Sequence, residues 1–154
     1  MNPSPGVPDE DLQLLVAAPL VTSRYQAWRP ADGLPIRTTV GYPRFWRGPA
    51  LVQLRELTPY GIFGTGLSNH EARLAYRQRV EVHAQTIVAR LAELARQHPG
   101  EALVVLCFEN VHAGEVCHRR WFAEWFEERF GIQVPELPAG RGDSEGVEQP
   151  QLPL

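Results

Sequence analysis

A predicted strand, ALVVLCFE at 102–109, constrains the fold of this chain more than any other feature of the sequence, because it is apolar throughout up to the closing Glu109. A strand that is apolar on both faces is typical of the buried centre of a parallel sheet, because a half-exposed strand alternates apolar and polar residues. Helical periodicity precedes the run at about 69–97 and follows it at about 115–130. The alternation of helix and strand predicts an α/β domain with a mostly parallel sheet flanked by helices.

The other predicted elements are shorter. A capping box, S-x-x-E, opens the long helix at Ser68, and Pro99-Gly100 follows its end. The segment at 51–59 fits either a short helix or a buried strand, because a short apolar run has no decisive period. Strands are predicted at 14–22, 35–41 and 132–137.

Length and composition predict one domain. The chain has 154 residues, of which 44% are hydrophobic, and this is enough for one complete core. The Pro-rich and acidic start predicts a flexible arm over 1–11. The end is rich in Gly, Pro and acidic residues, which predicts a disordered tail over 138–154. We therefore expect the folded domain to cover 12–137.

Charge and hydropathy narrow the class of partner. The formal net charge is −3, which gives no general attraction to nucleic acid or anionic membranes, although all 15 basic residues are arginine. No apolar run approaches the ~20 residues that span a bilayer, and the N-terminus lacks the pattern of a signal peptide. We therefore expect a cytoplasmic protein without membrane partners. In that compartment Cys107 and Cys117 would stay thiols, with no disulfide between them.

The stretch LCFENVHAGEVCHRR, 106–120, holds both cysteines and several polar groups that no core requires. It begins at the carboxyl end of the predicted central strand, and in open parallel sheets ligands bind outside these ends. Because side chains alternate along a strand, Cys107 and Glu109 point to one face and Phe108 to the other. We therefore expect Cys107 at the base of a pocket that Glu109 faces.

Three more candidates open the helix that follows. Cys117, His118 and Arg119 lie in its predicted first turn, where unpaired backbone N–H groups and the positive end of the helix dipole favour an anion. A cysteine at such a position has a stabilised thiolate. Residues at the ends of the first two strands would reach the same crevice and add matching charge. These further candidates are Arg24, Tyr25 and Arg44.

The same residues resemble the C-terminal signature of the Domain of Unknown Function 488 family. Its members typically have an apolar strand ending in Leu-Cys-x-Glu and, after a loop, Cys-His-Arg at the start of a helix. Here these motifs are LCFE at 106–109 and CHR at 117–119. The resemblance implies a Rossmann-like α/β fold with a shared polar pocket, and it implies no particular reaction. Weaker matches precede these motifs: VTSRY at 21–25, VGYPRF at 40–45 and LRELTP at 54–59.

The first functional hypothesis is an enzyme, or a ligand-binding protein, for a small anionic or nucleotide-like ligand. Glu109 would be the acid/base and Cys117 a nucleophile, while His118 and Arg119 would orient the substrate. The charged residues gathered at this junction favour this hypothesis, because buried charge is costly and must be used or paired. The hypothesis names no cofactor and no oligomeric state.

Two alternatives come from other classes. A nucleic-acid-binding or defence-associated module is permitted by the arginines and aromatic residues, but the negative net charge and the lack of a basic stripe count against it. A zinc-binding protein is the second alternative, because two cysteines and two histidines can form a tetrahedral site. The C-x9-C spacing matches no common zinc pattern. The ligands would be Cys107, His112, Cys117 and His118.

Overall fold

The computed structural model describes residues 6–138, and within them one parallel sheet organises the chain. Its strands are β1 (Leu20–Arg24), β2 (Leu34–Arg37), β3 (Val52–Gln53) and β4 (Leu103–Cys107). Their order across the sheet is β1-β4-β2-β3, and all three strand pairs are parallel. The predicted α/β class, Rossmann-like with a parallel sheet flanked by helices, is confirmed.

Strand β4 is the centre of this sheet, as its apolar sequence predicts. It pairs with β1 on one side and β2 on the other, and all five of its residues are buried. A strand with neighbours on both edges and packing on both faces offers no position for a polar side chain. The carboxyl end of β4, at Cys107, therefore lies in the middle of the sheet edge.

Four helices within residues 6–138 contribute to the main core. They are α1 (Asp9–Ala17), α2 (Asn69–Val82), α3 (Ala84–Gln97) and α4 (His118–Phe130). Their apolar side chains pack with alternate strand residues, which are Leu20, Ile36, Leu103 and Val105. The intervening residues Val21, Val104 and Leu106 form a second cluster on the other face of the sheet. Aromatic side chains pack against that second cluster: Tyr25, Trp28, Trp46 and Phe108.

The predicted strand at 14–22 is wrong in its first half. Residues up to Ala17 belong to α1, and β1 begins only at Leu20, directly after Pro19. Three acidic residues, 9–11, occupy the first turn of α1. Their negative charges stabilise the helix there, because the N-terminus is the positive end of the helix dipole. This helix-start signal identifies the element, whereas the apolar run LLVAA alone suits either type.

The predicted helix at 69–97 is present but is divided into α2 and α3 at His83, whose φ and ψ are −102° and 18°. A straight helix of that length would be about 43 Å long, whereas a globular domain of this size is about 36 Å across. The division lets α2 pack against α4 while α3 packs against α1 and β4. Both reciprocal bonds of the predicted capping box, between Ser68 and Glu71, are present.

Three other predicted elements, at 35–41, 51–59 and 132–137, differ in part from the structure. The strand at 35–41 is shorter than predicted, and 51–59 contains both β3 and a 3-10 turn at Arg55–Leu57. The predicted last strand is an extended segment with one parallel bridge, between Thr22 and Glu136.

The predicted arm and tail lie partly outside the described residues. Residues 9–11 of the predicted arm belong to α1. The rest of that arm up to residue 5, and the predicted tail from 139 onward, lie outside the described residues. Among the helices of residues 6–138, none combines the length and apolar character that a membrane crossing requires.

Candidate functional site

The loop at 110–116 brings the second cysteine back to the end of the first cysteine's strand. The Glu115 carboxylate accepts the Asn110 N–H at 2.7 Å, and the Glu115 N–H donates to the Asn110 carbonyl at 3.2 Å. Gly114 adopts the left-handed backbone conformation, φ 90°, which residues with a Cβ rarely adopt. As a result Cys117, the N-cap residue of α4, lies beside Cys107, the last residue of β4.

The sulfur atoms of Cys107 and Cys117 are joined in a disulfide. The prediction that both cysteines remain thiols is therefore wrong. It rested on an assumed reducing compartment, which carries no information about how close a fold brings two side chains. The two residues are 0% and 2% exposed, so the pair belongs to the interior of the protein and not to an open cleft.

His118, the first residue of α4, is 3% exposed, and Thr38 fixes its ring. Its Nε2 lies 2.8 Å from the Thr38 carbonyl oxygen and 3.0 Å from the Thr38 hydroxyl. A carbonyl oxygen only accepts, so Nε2 carries the hydrogen and Nδ1 presents a lone pair. Burial lowers the pKa of His118 to about 4, which keeps the ring neutral near pH 7. Nδ1 lies 3.9 Å from the sulfur of Cys117.

Arg119 is 1% exposed, and internal partners occupy its guanidinium. Nε and Nη2 donate to the two carboxylate oxygens of Glu136 at 2.9 and 2.7 Å, which forms a bidentate pair. Nη1 donates to the sulfur of Cys107 at 3.0 Å and to the Glu109 carbonyl at 2.8 Å. The arginine expected to bind an external anion therefore already holds an internal carboxylate.

Glu136 and Thr22 extend this ion pair into a network that sequence reasoning missed. The Thr22 hydroxyl donates to Glu136 at 2.6 Å and accepts from Arg120 Nη1 at 2.8 Å. The signal was present in the sequence, since Glu136 is the single acidic residue of the predicted strand IQVPEL. A carboxylate buried in a strand requires a cationic or hydrogen-bonding partner.

Two further candidates lie beside this cluster. Glu109 reaches Arg119 through its carbonyl oxygen, and its carboxylate has no hydrogen bond or ion pair with any residue of 6–138. Arg24 is the register partner of Cys107 on the neighbouring strand and is half-buried.

Three other candidates lie away from the cluster. Tyr25 packs on the opposite face of the sheet and bonds the Thr39 hydroxyl at 2.8 Å, and burial raises its pKa to about 12. Arg44 is exposed in the loop after β2. His112 is exposed too, with its Nε2 2.9 Å from the carbonyl oxygen of Leu137.

The structure therefore brings the side chains of four predicted site residues into direct contact, those of Cys107, Cys117, His118 and Arg119. Five of the surface cavities formed by residues 6–138, with volumes of about 170 to 360 Å³, are lined by residues outside this group. Comparisons of the chain with protein-family models, curated proteins and solved structures find no match. The membership of Domain of Unknown Function 488 stays a prediction.

The arrangement offers two kinds of chemistry. The paired sulfurs can be oxidised, as they are here, or reduced to two thiols. In the reduced form two sulfurs and one imidazole nitrogen become available within 4.8 Å of one another. Soft sulfur ligands together with a neutral imidazole are the donor set that zinc and related ions prefer.

Proposed function

We propose that this protein, once its disulfide is reduced, binds a thiophilic divalent metal ion such as zinc through Cys107, Cys117 and His118. The observation that carries the proposal is the convergence of these three buried side chains, whose ligand atoms lie within 4.8 Å of one another. They are the one such group among residues 6–138. A tetrahedral ion would take its fourth ligand from water or from another group.

The hydrogen bonding of His118 supports this function. A histidine that ligates a metal usually donates its other ring N–H to a carbonyl or carboxylate, which fixes the tautomer and the ring orientation. Here Nε2 donates to the Thr38 carbonyl, and Nδ1 is left as the ligand atom beside Cys117. The ring therefore already has the orientation that coordination requires.

The backbone spacing of the cysteines also suits two ligands of one ion. Their Cα atoms are 7.4 Å apart, whereas disulfides usually span about 4.4–6.8 Å. With zinc–sulfur distances of about 2.3 Å, tetrahedral ligands place two sulfurs about 3.8 Å apart. Donors from Arg119 lie near both sulfurs, the guanidinium at Cys107 and the backbone N–H at Cys117, and such donors favour the thiolate form.

The proposal adopts the zinc alternative with His112 removed from its ligand set, because that imidazole lies against Leu137. The anionic-ligand hypothesis has less support, since Glu136 already neutralises Arg119. A cytoplasmic location, which we also propose, would favour the reduced state that coordination requires.

Cobalt titration of the reduced protein tests the function. We expect chelator-treated protein in a non-thiol reductant to bind one Co²⁺ per chain and to develop thiolate-to-cobalt charge-transfer absorption. Cys107→Ser, Cys117→Ser and His118→Gln should each weaken binding strongly, because each removes one ligand. His112→Ala is the matched control and should bind as the parent does.

Circular dichroism of each variant separates loss of a ligand from loss of the fold. If reduced, folded protein develops no cobalt absorption, or if a folded Cys117→Ser protein binds as tightly as the parent, the metal function is excluded.

A further inference from the structure

Arginine and aromatic residues are interleaved in the loop after β2. The sequence YPRFWR at 42–47 holds three aromatic residues and two arginines. The surrounding chain is basic as well: residues 12–55 contain six arginines and one acidic residue, Asp32, in a protein whose net charge is −3. Positive charge is therefore concentrated in one part of the chain, around a loop rich in aromatic side chains.

Two rings of this aromatic–arginine loop, residues 40–47, face the solvent. Tyr42 is 49% exposed and Phe45 is 46% exposed. Phe45 lies on Phe108, with ring centroids 6.4 Å apart, and Phe108 in turn packs 4.9 Å from Tyr25. Trp46 packs 5.9 Å from Tyr25 on the same side. Phe45 is thus the outer ring of an aromatic cluster, and its contact with Phe108 is edge to face.

Hydrogen bonds hold the loop in one conformation. Arg37 donates to the carbonyl oxygens of Thr39 at 3.1 Å and Val40 at 2.6 Å, and its guanidinium lies 5.4 Å from the centre of the Tyr42 ring. Trp46 donates its indole N–H to the Pro49 carbonyl at 2.7 Å. A surface held in this way loses little conformational freedom when it binds a partner.

The loop also carries cations that are available to a ligand. Arg44 and Arg47 are exposed, and neither side chain has a hydrogen bond or ion pair with another residue of 6–138. The acidic residues nearest to Arg44 and Arg47 in the sequence are Asp32, which accepts the backbone N–H of Arg29, and Glu56, which pairs with Arg90. Guanidinium groups pair well with phosphate.

We infer that the aromatic–arginine loop binds single-stranded nucleic acid, with bases stacked on Tyr42 and Phe45 and phosphates paired with Arg44 and Arg47. Stacking on exposed rings together with backbone charge contacts is how proteins bind single strands without reading their sequence. The bases of a duplex stack on one another, so their faces are not accessible to Tyr42 and Phe45. A duplex would therefore contact only the arginines of the loop. This inference is independent of the proposed metal site.

Fluorescence anisotropy with a labelled oligothymidylate of about 15 nucleotides, a length near the usual site size, tests the inference. The folded parent protein should bind at low salt, more tightly than it binds a duplex of equal length. Phe45→Ala should weaken binding about fivefold or more through lost stacking. The double variant Arg44→Ala/Arg47→Ala should weaken it about tenfold and flatten the dependence of log K on log salt by about 1.4.

Matched controls remove the same groups elsewhere. Arg73→Ala/Arg77→Ala on α2 also removes two positive charges, and Leu74→Ala removes a side chain that is 49% exposed. Both should bind as the parent does. The inference is overturned if the parent does not bind the oligonucleotide, or if the two arginine pairs matter equally. It is overturned too if both Phe45→Ala and Tyr42→Ala bind the oligonucleotide as the parent does. Binding would then come only from the general attraction between arginines and a polyanion, without stacking of bases.

Discussion

At the residue scale, the burial of Arg119 decides what the site can do. Four of its five N–H groups are used by Glu136, Cys107 and the Glu109 carbonyl. A charge this deep is tolerated only because its partner is equally well placed, since removing an ion from water costs several kcal/mol. Arg119, at the start of α4, therefore joins the extended segment at Glu136 to the carboxyl end of β4.

Replacing Arg119 by Met should lower the free energy of unfolding by about 3–5 kcal/mol, because it leaves the Glu136 carboxylate buried without its counter-charge. Urea denaturation followed by fluorescence measures this loss. Arg73→Met is the matched control, since that arginine pairs with Glu124 on the surface, and its loss should stay below about 1 kcal/mol.

The double variant Arg119→Met/Glu136→Leu should recover part of the loss, because it removes the unpaired charge as well. Equal destabilisation by Arg119→Met and Arg73→Met would contradict the structural role and return Arg119 to the ligand-binding hypothesis.

At the element scale, helix α2 begins where local side-chain chemistry allows it to and ends where packing requires. The start of α2 is set by Ser68, whose hydroxyl accepts the Glu71 N–H at 3.1 Å while the Glu71 carboxylate accepts the Ser68 N–H at 2.9 Å. The hydrogen bonds to Ser68 lower the pKa of the Glu71 carboxyl. The end of α2 at His83 has no comparable local signal and follows from the packing of two different neighbours.

We expect Ser68→Ala to destabilise the protein by about 1 kcal/mol, since one of the first N–H groups of α2 loses its acceptor. Ser68→Asp keeps an oxygen at the same position, and aspartate is an equally good N-cap residue, so its stability should match the parent. Thermal melts of the three proteins make the comparison. A Ser68→Asp protein as unstable as Ser68→Ala would show that something other than capping is lost.

At the scale of the whole molecule, the sheet is most protected at its centre and least at one edge. All residues of β4 are buried between β1 and β2, while β3 has only two residues, both half-buried, and pairs only with β2 among the strands of 6–138. The stability of hydrogen bonds in a protein follows such differences, because edge elements open locally while central ones open only when the molecule unfolds.

Amide hydrogen exchange should reflect this order. The amides of 103–107 should exchange at the rate of global unfolding, and those of 52–53 should exchange faster by local opening. Adding denaturant should therefore accelerate exchange in β4 with the full denaturant dependence of unfolding and leave β3 nearly unaffected. Protection of β3 equal to that of β4 would mean that the edge is covered, for instance by a second chain.

The sequence by itself determined the features that depend on neighbouring residues. The run at 102–109 predicted the central strand because a strand buried on both faces has no polar positions. The capping box predicted the start of α2 because its two side chains are three residues apart. The same local logic predicted that Cys117, His118 and Arg119 open a helix at the sheet edge, where Cys117 proves to be the N-cap residue.

Only the tertiary structure decided which partners these residues meet. The disulfide joins positions ten residues apart, Arg119 pairs with Glu136 seventeen residues away, and His118 bonds Thr38 eighty residues away. Motif spacing predicted a cationic arginine but did not reveal that its charge is already neutralised. Whether a polar group is available to a ligand depends on contacts between distant segments, because burial forces each donor and acceptor to find a partner wherever the fold provides one.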